Sequence, residues 1–216
     1  MAAMSTKIIP PFITDLCRRM VAEWRTIMKK LMIVIGSPRR NGNSAYLAEL
    51  AAEAARSAGA AVEVVHLAAL SNLKPCAACY SCSKSRNAGC VIRDDLTAVI
   101  EKLKTQDALL LVGPVYWFSF SAQMKTFIDR AFFSLKDPAG PHILKEKEMG
   151  LILSFGDKDA FVSGAVNVVR SFQDITANVE AKLIGLVYGT TGSPEETALN
   201  YELTGGARAL GKKMGS

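Results

Sequence analysis

"GSPRRNGNS", Gly36 to Ser44, follows the apolar run "KLMIVI" (Lys30–Ile35) and precedes "AYLAELAAEAARSAG" (Ala45–Gly59), whose apolar residues recur at helical spacing. A strand, a short polar loop and a helix, in that order, read as the first βα unit of an α/β domain. The loop offers backbone N–H groups at a helix N-terminus, the Ser37 and Ser44 hydroxyls, the Asn41 and Asn43 amides and the Arg39 charge. That set suits a phosphate dianion, and Gly42 lets the backbone approach it closely. The stretch has neither the G-K-[ST] of a Walker loop nor the G-x-G-x-x-G of a dinucleotide fold. Taken alone, it also reads as a polar βα turn with a good cap.

Outward from this unit, the alternation continues. Apolar runs of strand length are Leu31–Ile35, Ala61–Leu67, Ala108–Val112, Gly150–Phe155 and Lys182–Tyr188. Between them lie helical faces: Leu47, Leu50, Ala51, Ala54 and Ala55; Leu96, Val99, Ile100 and Leu103; Met124, Phe127, Ile128, Ala131 and Leu135; and Phe161, Ala165, Val168, Val169 and Phe172. A last helix opens with "SPEE", where Ser193 is a natural N-cap, Pro194 fits the first helical position and Glu196 completes a capping box. Strands apolar on both faces and separated by helices imply a parallel sheet covered on both sides. Right-handed crossovers then make it a doubly wound, five-stranded parallel sheet of order 2-1-3-4-5.

Ligands of such sheets bind beyond the carboxyl ends of the strands, where the winding reverses. "GSPRRNGNS" lies there. So does "GPVYWFSFSAQMKTFIDR" (113–130), which places Tyr116, Trp117 and Phe118 in a row after the third strand, ahead of a helix capped near Ser121. Core packing is the usual fate of aromatics. In a chain that is 7% aromatic, three at one loop beside Gly113 and Pro114 point instead to a flat ligand. "SFGDKDA" (154–160) supplies a third loop, with Gly156 free to bring its backbone close. Phosphate loop, planar-ring loop and closing loop together describe a site for flavin mononucleotide.

"CAACYSCSKSRNAGC" carries Cys76, Cys79, Cys82 and Cys90 in a C-x2-C-x2-C-x7-C pattern. Three thiolates so spaced match the corners of a 4Fe-4S cluster, with a fourth contributed from further away. Zinc prefers two separated C-x2-C pairs, and disulfides are disfavoured in a reducing compartment. The loop leaves the carboxyl end of the second strand, so the cluster is expected on the flavin rim. Cys17 lies far upstream and is excluded.

"GSPRRNGNS", "GPVYWFSFSAQMKTFIDR" and "CAACYSCSKSRNAGCVIRDDL" (76–96) resemble the flavodoxin-like NADPH-dependent FMN reductases, and specifically their iron-sulfur flavoprotein branch. The resemblance runs from about Lys30 to the C-terminus. It implies that Ser37, Arg39, Asn41, Asn43 and Ser44 hold the phosphate of FMN and that Pro114, Val115, Tyr116, Trp117 and Phe118 line the ribityl chain and isoalloxazine. Lys125, Asp129 and Arg130 belong to the same motif, but an ion cluster on the helix surface explains them equally well. The gap before Cys90 is longer than the branch's familiar spacing. The expected activity is NAD(P)H-dependent reduction of flavin, quinone or another small acceptor. The alternatives are an electron relay from a ferredoxin-type donor and a module without redox role whose cysteines staple zinc. Because the cofactor carries the hard chemistry, no catalytic side chain is demanded. His66 and His142, the only histidines, read as core or surface residues.

Residues 1–27 form an N-terminal extension ahead of a flavin domain at 28–216, with the Cys-rich insertion at 74–95. Residues 1–30 hold six Lys/Arg against two Asp/Glu, +4 of the net +6, so the basic balance reflects one end and implies no nucleic-acid partner. Ile13, Leu16, Cys17, Met20, Val21, Trp24, Ile27 and Met28 fall on one helical face after Pro10 and Pro11. That face reads as a packed helix, a membrane-surface helix or sequence upstream of the true start at Met28. No apolar run approaches the roughly 20 residues of a membrane span. A cytoplasmic homodimer or homotetramer is expected, without membrane partners.

Overall fold

A computed structural model describes residues 28–84 and 89–216. The N-terminal extension, with its expected amphipathic helix and Cys17, lies outside the described residues. Five strands, β1 (Lys30–Ile35), β2 (Ala61–His66), β3 (Ala108–Tyr116), β5 (Glu148–Phe155) and β6 (Lys182–Thr190), pair in parallel in the order β2-β1-β3-β5-β6. This is the expected winding, with a sixth strand added. The two-residue β4 (Ser119–Phe120) folds back antiparallel on β3, so the aromatic run is the turn of a hairpin and not an open loop.

Period-two alternation decides which face each strand residue covers. Met32, Val34, Leu109 and Leu111 point to one face, where they bury α2 (Asp95–Leu103), α3 (Ala122–Ser134) and α4 (Ala165–Asn178) through Leu96, Ile100, Phe127, Ile128, Val168 and Phe172. Leu31, Ile33, Ile35, Leu110 and Val112 point to the other, against Leu47, Leu50 and Ala51 of α1 (Asn43–Ser57) and Leu203, Leu210 and Met214 of α6 (Tyr201–Gly215). With apolar residues on both pleats and helices on both sides, the central strands are fully buried.

The caps lie where the sequence puts them. Ser121 accepts from the Met124 N–H, and Ser193 and Glu196 form the capping box of α5 (Pro194–Leu199). Asp94 precedes α2 and donates its own N–H to Thr97 Oγ1 at 3.2 Å. Two expectations need correction. The last helical segment breaks at Asn200, whose ψ of 85° is not helical, so α5 and α6 are separate. Phe161 does not belong to the buried face of α4: that helix starts at Ala165, and Phe161 is 81% exposed in the loop before it.

Candidate active site

The carboxyl ends of β1, β3, β5 and β6 form one rim. Helix α1 starts there at Gly42, with no side chain capping it and no acidic residue in its first turn. Its first N–H groups therefore remain free to meet an anion. Ser37 is buried beneath the loop, and its Oγ accepts from the Arg39 N–H at 3.1 Å, which leaves the hydroxyl proton to donate elsewhere. Arg39 and Asn41 are exposed. The Asn43 amide donates to the Gly192 carbonyl at 2.8 Å, while its Oδ1 is buried with no partner. Ser44 is buried, its Oγ 3.3 Å from Ser154 Oγ at the end of β5.

The hairpin stands beside this loop. Tyr116 pairs with Ser119, leaving Trp117 (φ 46°) and Phe118 (φ 63°) as a two-residue turn with positive φ at both positions. Such type I′ turns normally carry Asn or Gly, and bulky residues there hold backbone strain that surrounding contacts must sustain. Phe118 is sustained by Gly164, where any Cβ would lie 2.6 Å from the Phe118 Cβ and where φ is +73°. Trp117 has no such support and is 92% exposed. Pro114 and Val115 are half-buried behind the turn. Gly36 lets α3 start against the end of β1: its Cβ would meet Met124 Cβ at 2.6 Å, and its carbonyl accepts from the Ser121 hydroxyl at 2.5 Å. Gly156 is exposed with open space around it, so the β5–α4 loop meets the hairpin through Gly164 rather than Gly156. His66 ends β2 opposite Ile35, with both ring nitrogens buried and unpartnered. Burial pushes its pKa down and the Arg40 charge adds to this, against a backbone contact to Arg39.

The cysteines gather elsewhere. Cys76, Cys79, Cys82 and Cys90, all free thiols, line a cavity of about 760 Å³ together with Arg130, Phe132 and Phe133 of α3 and Ile175 of α4. No residue of the Ser37–Ser44 loop or of the aromatic turn lines it. The expectation of a cluster on the rim is therefore corrected: the loop does leave β2 at the rim, but it then packs along the second half of α3, where Tyr80 meets Phe133 edge to face at 5.9 Å. Among the described residues, no three His, Cys, Asp or Glu side chains stand at metal-ligating geometry. The donor set is nonetheless that of a thiolate site, with four cysteines lining one cavity. The Ser81 backbone N–H pulls the Cys79 pKa down, whereas burial pushes Cys82 up.

Arg130 departs most from its sequence reading. Lys125 and Asp129 do form an exposed pair at 2.6 Å, but Arg130 is 1% exposed and ion-paired to Asp94. Ser154, Gly164 and Gly192 are contributors that the sequence reading did not single out, and Arg130 is one that it read as equally well explained by a surface ion cluster. Only the glycines left a signal there, Gly192 just after the end of β6 and Gly164 just before α4.

The model of the NADPH-dependent FMN reductase family matches residues 28–188. The chain belongs to this family. The iron-sulfur flavoprotein of Archaeoglobus fulgidus is 31% identical over 169 residues, covering 77% of this chain and 73% of that one, which puts the chain in the iron-sulfur flavoprotein branch. The NAD(P)H:quinone oxidoreductase from Methanothermobacter marburgensis superposes with a TM-score of 0.66 at 20% identity over 88% of this chain and 97% of that one. Megasphaera elsdenii flavodoxin superposes with a TM-score of 0.53 at 18% identity, over 86% and 98%. At these identities the structural likenesses establish the flavodoxin-like fold. Family membership makes the protein an FMN-dependent oxidoreductase. Among the described residues, no helix is long and apolar enough to cross a membrane.

Proposed function

We propose that the protein is an NAD(P)H-dependent FMN oxidoreductase that also carries a 4Fe-4S cluster. The observation that carries the flavin reading is the rim: an uncapped helix N-terminus beside a strained, exposed aromatic turn, with an orphaned buried amide oxygen, Asn43 Oδ1, in the first residue of that helix. Ser37, Arg39, Asn41, Ser44 and the first N–H groups of α1 would hold the phosphate. The fixed direction of the Asn43 amide leaves its Oδ1 as an acceptor, which suits a ribityl hydroxyl better than a phosphate oxygen. Pro114 to Phe118 and Gly156 would line the ring and keep water from one side of it. Bound there, FMN supplies the hydride chemistry at N5 and returns electrons to a small acceptor such as a flavin or quinone.

Cys76, Cys79, Cys82 and Cys90 would hold the cluster. Three thiolates two residues apart are a cubane pattern, and the relative's name supports the same group. Exposed Trp117, Phe118, Phe161 and Val162 leave apolar surface on the rim, which supports a closed homo-oligomer. Light scattering should give a multiple of 23.2 kDa, and a monomer mass would refute this.

Anaerobic purification with flavin, iron and sulfide assays tests the central reading. One FMN per chain, about four irons per chain and rapid bleaching by NADPH or NADH are expected. FAD, or no flavin after reconstitution, would defeat the flavin assignment. Iron below about two per chain would defeat the cluster. Reduction by a ferredoxin-type donor alone would replace the reductase with an electron relay.

A further inference from the structure

The loop between β2 and α2 has almost no structure of its own. Its regular elements among the described residues are two 3-10 turns, Leu67–Ala69 and Ser81–Ser83, and Lys74 to Tyr80 are all exposed. Leu67, Leu70 and Leu73 pack its first part on the core, and Asp95 accepts from the Ser71 hydroxyl and the Asn72 N–H. What ties its cysteine-bearing part at both ends is one side chain from α3. The Arg130 Nη1 donates to the Lys74 carbonyl at 3.0 Å and to Asp94 Oδ2, and its Nη2 donates to the Ile92 carbonyl at 3.1 Å. Lys74 stands two residues before Cys76 and Ile92 two residues after Cys90. Asp94 accepts in turn from the Lys74 N–H at 2.9 Å. One guanidinium thus closes the cysteine loop at both ends.

Two N–H donors of that guanidinium make none of these bonds, one on Nη2 and one on Nε. Arg130 Nε is buried without a partner, and the Cys90 side chain lies against the same guanidinium. Burial alone would lower the Arg130 pKa, but Asp94 and Cys90 outweigh it and hold it above the ordinary arginine value. Asp94 already neutralises the arginine, so the pair adds little net charge to the loop. Its contribution is geometric: two carbonyls gripped by a rigid fork, with the Cys90 side chain beside it.

We infer that Arg130 is the positioning residue of the cysteine loop, which holds Cys90 at the same cavity as Cys76, Cys79 and Cys82 by bridging the Lys74 and Ile92 carbonyls. The inference rests on the reading of this loop as a cluster site. Loop closure has an entropic cost that grows with the length closed, and without a bridge that cost falls on the cluster itself.

The experiment compares wild type, Arg130→Lys and, as a surface control, Lys125→Ala after anaerobic reconstitution. Lysine keeps the charge but has a single nitrogen, which cannot reproduce the two-carbonyl grip. Arg130→Lys should keep its FMN and lose at least half its iron, and any remaining cluster should show a shifted EPR signal and a shifted midpoint potential, because the guanidinium beside Cys90 is withdrawn. Lys125→Ala should match wild type. Full iron content with an unchanged EPR signal in Arg130→Lys would overturn the inference. Should Arg130→Lys lose FMN as well, Asp94→Asn decides: iron loss with FMN retained supports the clasp, and full iron overturns it. If wild type binds no iron, the cluster reading fails and amide hydrogen exchange decides the clasp. At least tenfold faster exchange across residues 74–92 in FMN-loaded Arg130→Lys supports it, and unchanged exchange overturns it.

Discussion

At the rim, each loop is short and anchored by regular structure on both sides: β1 enters the Ser37–Asn43 stretch and α1 leaves it, while β3 and β4 clamp the aromatic turn. The cysteine loop leaves the same sheet but is anchored by side chains, chiefly Arg130 to Lys74 and Ile92, and Asp95 to Ser71 and Asn72 at 3.0 Å each. A phosphate site needs backbone N–H groups in a fixed array, which a strand and a helix end provide. A thiolate site needs four sulfurs free to converge on a metal core, which a loop without its own ladder permits. The first is made by the fold, and the second is attached to it by a few polar side-chain contacts.

The largest effect should come from breaking one region and leaving the other intact. Cys79→Ser removes a ligand at an exposed position of the loop and should abolish iron binding while leaving FMN content unchanged. Loss of flavin in that variant, read by acid release and chromatography, would mean that the two regions are not separable. The converse substitution acts at the rim. Asn43→Ala with Ser44→Ala removes the contacts to Gly192 and Ser154 and should weaken FMN binding by about 2–4 kcal/mol, with iron retained. A dissociation constant unchanged in fluorescence titration would take both residues out of the site.

The same contrast explains what could be read beforehand. The βα alternation, the strand order and the caps at Ser121 and Ser193 follow from patterns within a few residues of one another. The hairpin was hidden because Trp117 and Phe118 occupy a turn that ordinarily announces itself by Asn-Gly. Arg130 was hidden for a different reason. Beside Lys125 and Asp129 it reads as one more charge on an exposed helix, and its partner Asp94 lies 36 residues away. Contacts at that separation are set by packing, and only the fold brings them together.

The turn offers the next smaller effect. Replacing Trp117 and Phe118 by Asn and Gly suits positive φ and should relieve about 1–3 kcal/mol of backbone strain. The flavin-free protein should then melt higher while binding FMN more weakly, a trade expected only if the strain serves the ligand. Calorimetry without FMN checks the first part. An unchanged melting temperature would mean that the turn is not strained.

The smallest effect separates the regions by pH, because each holds one of the two histidines. His142 lines the cysteine cavity with both nitrogens engaged, Nδ1 accepting from the Leu144 N–H at 3.0 Å and Nε2 donating to the Phe132 carbonyl at 2.7 Å. A second ring proton would face an N–H donor, and burial, with the Lys136 charge, lowers the pKa from 6.5. His66 at the rim is lowered from the same value, also chiefly by burial. For both, the unfolded chain takes up the proton first, so their effect on stability is absent above about pH 6.5 and stability falls as pH drops from there toward the folded values. His142→Gln and His66→Gln should each flatten this limb in melts of the flavin-free protein between pH 7 and 5. Bound FMN distinguishes them. A phosphate beside His66 favours its charged form and raises the folded pKa, so FMN should shrink the share of the limb that His66→Gln removes and leave the His142 share as it was. Equal shares with and without FMN would place the phosphate away from His66.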